Sequence, residues 1–523
     1  MGGEQEETSR ATRRAFLKRA AGAVSWPAWG PSVLGAGRRK PNLLFLWTDE
    51  QRADTMAAYG NSTIHAPNLN ELAKESVVFE RAYVSQPVCT PSRSTVMTGL
   101  WPHQSGCTQN NVALPPEIPV FPELVNDSDY HTGYFGKWHL GDEIFAQHGF
   151  EEWRSIEDMY ARYYREGRDV ERKSDYCRFL AGLGYKPDSA RGDYSRGFAA
   201  RLPIEHCKPK FLEQETCDFL RRHRNEPFML YVNFLEPHMP FFGPLDGEHR
   251  PEDVMLPINF DDPLEENEPE AYRRKRADYL KNGYHEYDLS KEVDWRRLIA
   301  KYWGLVTQVD RSVGAILATL EDLGLAEDTI VVYTSDHGDM MGSHHLLTKS
   351  VMYEEAMRVP WLIRAPKWQR SQQVVKQPVG HVDLVPTLLD LMEAKPSRNL
   401  PGQSLRPLVE GGTVAEDHVY VEWNPAGTLA KGRNPGGAKH RPDATQGDAS
   451  RAVMAPDGWK LCLHDQDRHQ LYNLAEDPGE TTNLYGRSEN REVTARLIQR
   501  IEAWQERAGD TLPLRRADKK QQG

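Results

Sequence analysis

The sequence predicts an α/β fold: a mostly parallel central sheet flanked by helices, with a smaller antiparallel sheet in a C-terminal subdomain. Three observations predict it. Apolar runs at 42–48, 228–234 and 329–335 are short, rich in β-formers and bounded by polar residues, as buried strands are. Each run ends in a polar cluster, Asp49-Glu50, Glu236-Pro237-His238 and Asp336-His337-Gly338-Asp339, and open α/β sheets carry their sites beyond the carboxyl ends of strands. Residues 302–323 place Val306, Val309, Val313, Ile316, Leu317, Leu320 and Leu323 at the spacing of an amphipathic helix that packs on a sheet.

Taken in order, residues 1–40 stand apart from the rest of the chain. Thr12-Arg13-Arg14-Ala15-Phe16-Leu17-Lys18 resembles a twin-arginine export motif, and residues 20–29 form a weakly apolar stretch too short and too broken by Gly and Pro to span a bilayer. The resemblance implies a periplasmic or secreted protein with no membrane attachment after export. Residues 41–410 read as the main α/β domain, in which 154–201 and 244–290 are polar insertions and 383–392 reads as a further helix. Residues 411–523 read as the small-sheet subdomain and tail, with strands expected at 453–464 and 470–474 and a Gly/Pro-rich loop at 425–447.

The stretch Cys89-Thr90-Pro91-Ser92-Arg93, followed by Ser94-Thr95-Val96-Met97-Thr98-Gly99, reads as a helix start with a nucleophile at its mouth. Thr90 is suited to capping and Pro91 to the first helical position, where a missing N–H has no partner to lose. Such a terminus offers free N–H groups and partial positive charge to an anion, and Arg93 adds a forked cation one turn in. In Gly136-Lys137-Trp138-His139-Leu140-Gly141, Lys137 and His139 alternate along an extended segment and so face one side. A cation and an imidazole together suit an anionic ester, whose charge grows on the departing oxygen as the ester bond breaks.

These two stretches resemble the paired signatures of type I sulfatases, Cys-x-Pro-Ser-Arg with a run ending in Thr-Gly, and Gly-Lys-Trp-His-Leu-Gly. The resemblance extends to Leu471-Tyr472-Asn473-Leu474 and Asp477-Pro478-Gly479-Glu480, and so covers about 41–485. It implies an alkaline-phosphatase-like fold and sulfate-ester hydrolysis, with Cys89 oxidised to formylglycine by a maturation enzyme. By resemblance, the hydrated aldehyde at position 89 attacks sulfur, activated by Asp336; Arg93, Lys137 and the metal hold the sulfate. Lys349 and His238 serve the leaving oxygen, and His139 assists return to the aldehyde. Asp49, Glu50, Asp336 and His337, with residue 89, would ligate one divalent cation. Their oxygens suit calcium, with magnesium or manganese behind it. Glu50 stands where the family has a second Asp, and His337 takes a place that varies between Asn and His.

Composition narrows the partners. The first 40 residues hold eight basic and three acidic groups, so removing that surplus of five from the net −11 leaves −16 on the remainder. That excludes a broad basic face for nucleic acid and requires a local basic pocket for sulfate. Six cysteines in 523 residues are no disulfide scaffold. Cys107, Cys177, Cys207, Cys217 and Cys462 read as buried thiols, with a Cys207–Cys217 bridge left open. Export and the long insertions point to a sulfated carbohydrate as substrate, with a small sulfate ester as the simpler case. Tyr160-Ala161-Arg162-Tyr163-Tyr164-Arg165-Glu166-Gly167-Arg168 reads either as a sugar-gripping rim or as a solvated amphipathic helix. Two alternatives stand beside the sulfatase: a phosphodiester or phosphonate monoester hydrolase of the same superfamily, and an inactive sulfatase-like glycan binder.

Overall fold

The computed structural model describes residues 40–369, 373–395, 398–424 and 448–514. The twin-arginine segment and the 425–447 loop lie outside the described residues. In chain order the strands are β1 Asn42–Asp49, β2 Val77–Phe79, β3 Ala82–Tyr83, β4 His131–Gly136, β5 Glu152–Ser155, β6 Phe228–Pro237 and β7 Thr329–Ser335. They continue as β8 Arg358–Val359, β9 Trp361–Arg364, β10 Gln373–Val375, β11 Val379–Gly380, β12 Val419–Trp423, β13 Ser450–Met454, β14 Trp459–His464 and β15 Gln470–Asn473.

Eight of these form the central sheet in the order β10-β2-β9-β7-β1-β6-β4-β5, and β9 alone runs against its neighbours. The expected mostly parallel sheet is therefore present. Its central strands are buried on both faces, and side chains alternate between two cores with period two. From β1, Leu44 and Leu46 enter one core while Leu43, Phe45 and Trp47 enter the other. Tyr333 and Val331 of β7 join the first, Ile330 and Val332 the second. The first face is covered by the helices Lys208–Arg222 and Glu292–Asp322, the second by Cys89–Thr98 and Leu384–Leu391.

Three element bounds differ from the sequence reading. The helix expected from 302 begins at Glu292, because Trp295, Leu298 and Ile299 carry its buried stripe a further ten residues back. The helix expected over 383–392 is Leu384–Leu391, entered through a 3₁₀ turn at His381–Asp383. The single strand expected over 453–464 is two, because Pro456-Asp457-Gly458 turns the chain and Gly458, at φ 91°, adopts the conformation glycine allows most cheaply. The resulting pair joins β12 and β15 in the antiparallel four-stranded C-terminal sheet.

One face of that small sheet packs under the helix Arg491–Ala508 through Leu497, Ile501 and Trp504. Its other face, with Val421, Ala452, Met454 and Cys462, packs on Tyr83, Val88 and Met357. Val88 is the residue before the Cys89 helix, so the C-terminal sheet buttresses the mouth of the site. All six cysteines are buried and free, which closes the open Cys207–Cys217 bridge: Cys217 Sγ receives the Thr319 hydroxyl at 3.2 Å, and Cys207 lies against Gln308. Among the described residues no helix is long and apolar enough to cross a membrane.

Candidate active site at the carboxyl edge of the sheet

Strands β1, β4, β6 and β7 deliver the candidate residues to one place. Asp49 ends β1, Asp336 and His337 follow β7, and His238 follows β6. Cys89 is the first residue of the helix Cys89–Thr98, whose cap is extended Val88 (φ −162°, ψ 150°). The helix thus starts earlier than expected, and Thr90 does not cap it: its hydroxyl donates to the His139 carbonyl at 2.8 Å, tying the two signatures together. Pro91 is consequently the third helical residue, a place with no intrahelical N–H bond to lose either.

Cys89 Sγ is the focus. It lies 3.2 Å from His337 Nε2, 3.8 Å from Asp49 Oδ1 and 3.9 Å from Lys137 Nζ. Asp49 and Asp336 are fully buried, a costly arrangement unless each is paired. Arg93 supplies the pairing: its Nε donates to Asp336 at 2.8 Å and one terminal nitrogen to Asp49 at 2.9 Å. Its other terminal nitrogen donates to the Lys137 carbonyl at 2.7 Å and to Asn233 Oδ1 at 3.0 Å. The guanidinium also stacks over Trp47. Four hydrogen bonds of Arg93 go to the protein, which makes it the organiser of both carboxylates beside its expected place at the sulfate.

Lys137 and His139 do not alternate along a strand. β4 ends at Gly136, whose φ of 123° and 2.0 Å approach of a built Cβ to the Asn233 carbonyl exclude any side chain. The chain leaves the sheet there, and His139 sits at φ 58°. Lys137 Nζ still reaches Asp49, while His139 turns its Nε2 to Asn111 Oδ1 at 3.0 Å and leaves Nδ1 buried without a partner. Burial, reinforced by Lys137 and Arg93, holds the His139 imidazole neutral, well below its usual range.

Glu50 occupies the other side of Asp49. At φ 70° it gives its N–H to Asp336 Oδ1 at 3.1 Å, and Tyr302 donates to its carbonyl at 2.7 Å. Its Oε2 accepts from Lys349 Nζ at 2.8 Å and lies 3.3 Å from His238 Nε2, while Oε1 is buried with no hydrogen-bond partner. Burial pushes this carboxyl up to about 8 against the pull of Lys349. Burial with the Lys349 charge keeps His238 neutral, well below its ordinary value. His337 goes the other way: burial opposes its charge, yet Asp336 and Cys89 lift it to about 9.

Donor atoms of Asp49, Cys89, Asp336 and His337 lie within 4.8 Å of one another, and Asp49, Glu50 and His238 form a second such group sharing Asp49. The residues fit a divalent cation. His337 Nδ1 lies 2.9 Å from the Gly338 carbonyl, to which it donates, fixing the tautomer that points Nε2 inward. The unpartnered Glu50 Oε1 is a further oxygen donor lacking a positive neighbour on its own side.

Residues that sequence reasoning missed complete the walls. Arg196, from the 154–201 insertion, forks onto Glu157 at 2.7 and 2.5 Å and lies 3.3 Å from His238 Nδ1. Tyr160 accepts from Arg196 at 3.0 Å and lays its ring 4.3 Å from that of His139. Nothing in the polar insertion marked Arg196, whereas Asn233, a lone amide in an apolar strand run, was a readable signal. The aromatic–arginine stretch is no amphipathic helix: it forms a 3₁₀ turn at Ala161–Tyr163, Arg165 donates to the Leu114 carbonyl at 2.8 Å, and Arg168 to Asp142 at 3.0 Å.

Fold and site together define an α/β protein with a buried cluster of charged residues at the carboxyl edge of its sheet. The chain belongs to the sulfatase family: the family model for Sulfatase matches residues 41–394. It is 29% identical to the uncharacterized sulfatase YidJ of Escherichia coli, over 85% of this chain and 83% of that protein. It is 25% identical to N-acetylglucosamine-6-O-sulfatase of Bacteroides thetaiotaomicron, over 91% and 88%. Among solved structures, phosphonate monoester hydrolase of Agrobacterium radiobacter superposes with a TM-score of 0.72 at 21% identity, covering 90% of this chain and 96% of that one. The protein is a sulfuric ester hydrolase.

Proposed function

We propose that this chain is an exported sulfatase that removes sulfate from a sulfated carbohydrate, using formylglycine made from Cys89 and one divalent cation, calcium by choice. The observation that carries this reading is the position of Cys89 Sγ, at the focus of Asp49, Lys137 and His337. In the mature residue an oxygen stands in place of that sulfur, which turns the donor set into three hard oxygens and one imidazole. The aldehyde hydrate supplies the nucleophilic oxygen, and the cation, when bound, supplies charge that holds sulfate and favours that oxygen's ionised form.

The chain's own residues do the rest. Arg93 holds Asp49 and Asp336 in place, and Asp336, with an oxygen within 4.8 Å of Cys89 Sγ, takes a proton from the group at position 89. Lys137, whose pKa the Asp49 charge keeps above its normal value despite burial, is a fixed cation beside the nucleophile. Lys349 and His238 lie on the opposite side, joined through Glu50 Oε2, and suit the leaving oxygen: a permanent charge and a neutral imidazole able to relay a proton. N-acetylglucosamine-6-O-sulfatase of B. thetaiotaomicron, among the relatives, supports a sugar sulfate as substrate. The twin-arginine-like segment supports export, and a maturation enzyme is the implied partner.

A second reading has its own support, since two phosphonate monoester hydrolases share the fold. One experiment separates the two. Protein co-expressed with a formylglycine-generating enzyme should show the mass change of thiol-to-aldehyde conversion at Cys89 and be silenced by chelation. Its kcat/KM should be at least ~10²-fold higher on a sulfated monosaccharide or aryl sulfate than on phenyl phosphonate, a gap of about 2.7 kcal/mol. The reverse preference would replace the sulfatase reading with the phosphonate one.

A further inference from the structure

The amino edge of the sheet, far from Cys89, carries a second convergence of ligand atoms that the catalytic reading does not use. His131 opens β4, His223 ends the helix Lys208–Arg222, and Glu226 precedes β6. Sheet pairing fixes them against one another: His131 stands opposite Phe228 in the β4–β6 register and gives its N–H to the Pro227 carbonyl at 3.0 Å. Both imidazoles face one carboxylate oxygen. Glu226 Oε2 lies 3.1 Å from His131 Nε2 and 3.3 Å from His223 Nδ1, and the two rings stack with centroids 4.4 Å apart.

We propose that His131, His223 and Glu226 form a zinc-class metal site that clamps the entry ends of β4 and β6. The two His–Glu separations are those of ligands around one ion, since with metal bonds of about 2.0–2.2 Å neighbours at tetrahedral angles stand ~3.3 Å apart, and all three donor atoms lie within 4.8 Å of one another. The chemistry of the set, two imidazoles and one carboxylate, selects zinc and its transition-metal neighbours over calcium or magnesium, which take oxygen. A further observation comes from the outer face of His223. Its Nε2 meets Glu152 at 2.7 Å, and Glu152 is itself held by both terminal nitrogens of Arg222 at 2.9 Å each. A neutral imidazole has one proton for two carboxylates. With metal on Nδ1, that proton belongs on Nε2 toward Glu152, the carboxylate–histidine–metal arrangement that fixes a ligand's orientation.

The remaining surroundings agree. His131 Nδ1 has Glu151 at 3.8 Å, Arg154 lies 3.7 Å from Glu152, and the His223 ring rests on Phe219. The side chain of His223 is 13% exposed and that of His131 39%, so the ion reaches the site from solvent and retains one open position. The clamp closes the ends of the two strands whose far ends lead to Lys137 and His238, yet it touches neither.

Zinc titration by calorimetry, with cobalt(II) absorption as a reporter of tetrahedral nitrogen and oxygen ligation, tests the site on the whole protein. Wild type should bind one more equivalent of Zn²⁺ than His131→Gln or Glu226→Gln. Glu152→Gln should retain the equivalent but bind it about tenfold more weakly. The extra equivalent should persist in His337→Ala, which separates it from the catalytic pocket, and Zn²⁺ should raise the melting temperature of wild type more than that of His131→Gln. Equal stoichiometry in wild type and in both folded clamp variants would overturn the proposal, as would loss of the equivalent in His337→Ala alone.

Discussion

Two clusters of buried charge invite comparison: the pocket around Cys89 and the knot around Lys460. In the knot, Lys460 Nζ on β14 reaches Glu354 at 3.2 Å and Glu480 at 2.6 Å, while Tyr83 donates to Glu354 at 2.9 Å and the Glu354 N–H to Glu480 at 2.7 Å. Both clusters are nearly sealed from water, and in each burial holds one carboxyl, Glu50 or Glu480, up at about 8. They differ in what they converge on. The knot gathers two carboxylates on one ammonium, a closed arrangement that binds the C-terminal sheet to the main body. The pocket gathers Asp49, Lys137 and His337 on one sulfur. Burial of charge is therefore common to both, and convergence on a reactive atom is what marks the one proposed to be catalytic.

The comparison breaks most visibly at its two centres. Cys89→Ala should reduce turnover of an aryl sulfate by at least ~10⁴-fold, since no other group in the pocket can replace the nucleophile. Its melting temperature should stay within about 2 °C of wild type, because a small buried side chain leaves the Arg93 network intact. Lys460→Met should do the opposite. Removing one partner of a buried ion pair costs about 3–5 kcal/mol, read by urea unfolding, with turnover per folded molecule unchanged. If Lys460→Met instead lost turnover without stability, the knot would belong to the catalytic machinery and the distinction would fail.

The same contrast shows what the sequence made legible. β1, β6 and β7 were readable because strands buried on both faces are uninterrupted apolar runs, and the polar residues after them had one place to go. The pairing of Asp49, Asp336 and His337 followed from that rule. Lys137 and His139 were readable as residues but not as geometry: a glycine at φ 123° turns the chain off the sheet, and alternation ends before them. Arg93 was assigned to sulfate by its place in the family signature. Only the tertiary fold showed that two buried carboxylates had to be paired by it. Arg196 and Tyr160 enter from an insertion whose composition resembles any solvated loop. The knot was equally hidden, since Glu354, Lys460 and Glu480 lie on three elements that no periodicity links.

The finest test concerns the proton shared within the knot. Burial, opposed by Lys460 and aided by Glu354, lifts Glu480 from its ordinary 4.5 to about 8 in the folded protein. Between those values the folded chain holds a proton that the unfolded chain has released. Stability must then fall as pH rises through that window, by up to about 1.4 kcal/mol per unit, and level off above it. Glu480→Gln removes the titrating group while keeping an oxygen for the Glu354 N–H. Its amide faces Lys460 less well, which lowers stability by an amount that does not depend on pH. The readout is consequently the difference in unfolding free energy between wild type and Glu480→Gln, followed from pH 5 to 9. That difference should shrink steadily toward pH 8 as wild type loses its advantage, and then stay constant. A flat difference across the whole range would mean that Glu480 is ionised beside Lys460 throughout, and that the knot is balanced as an ion pair rather than by a held proton.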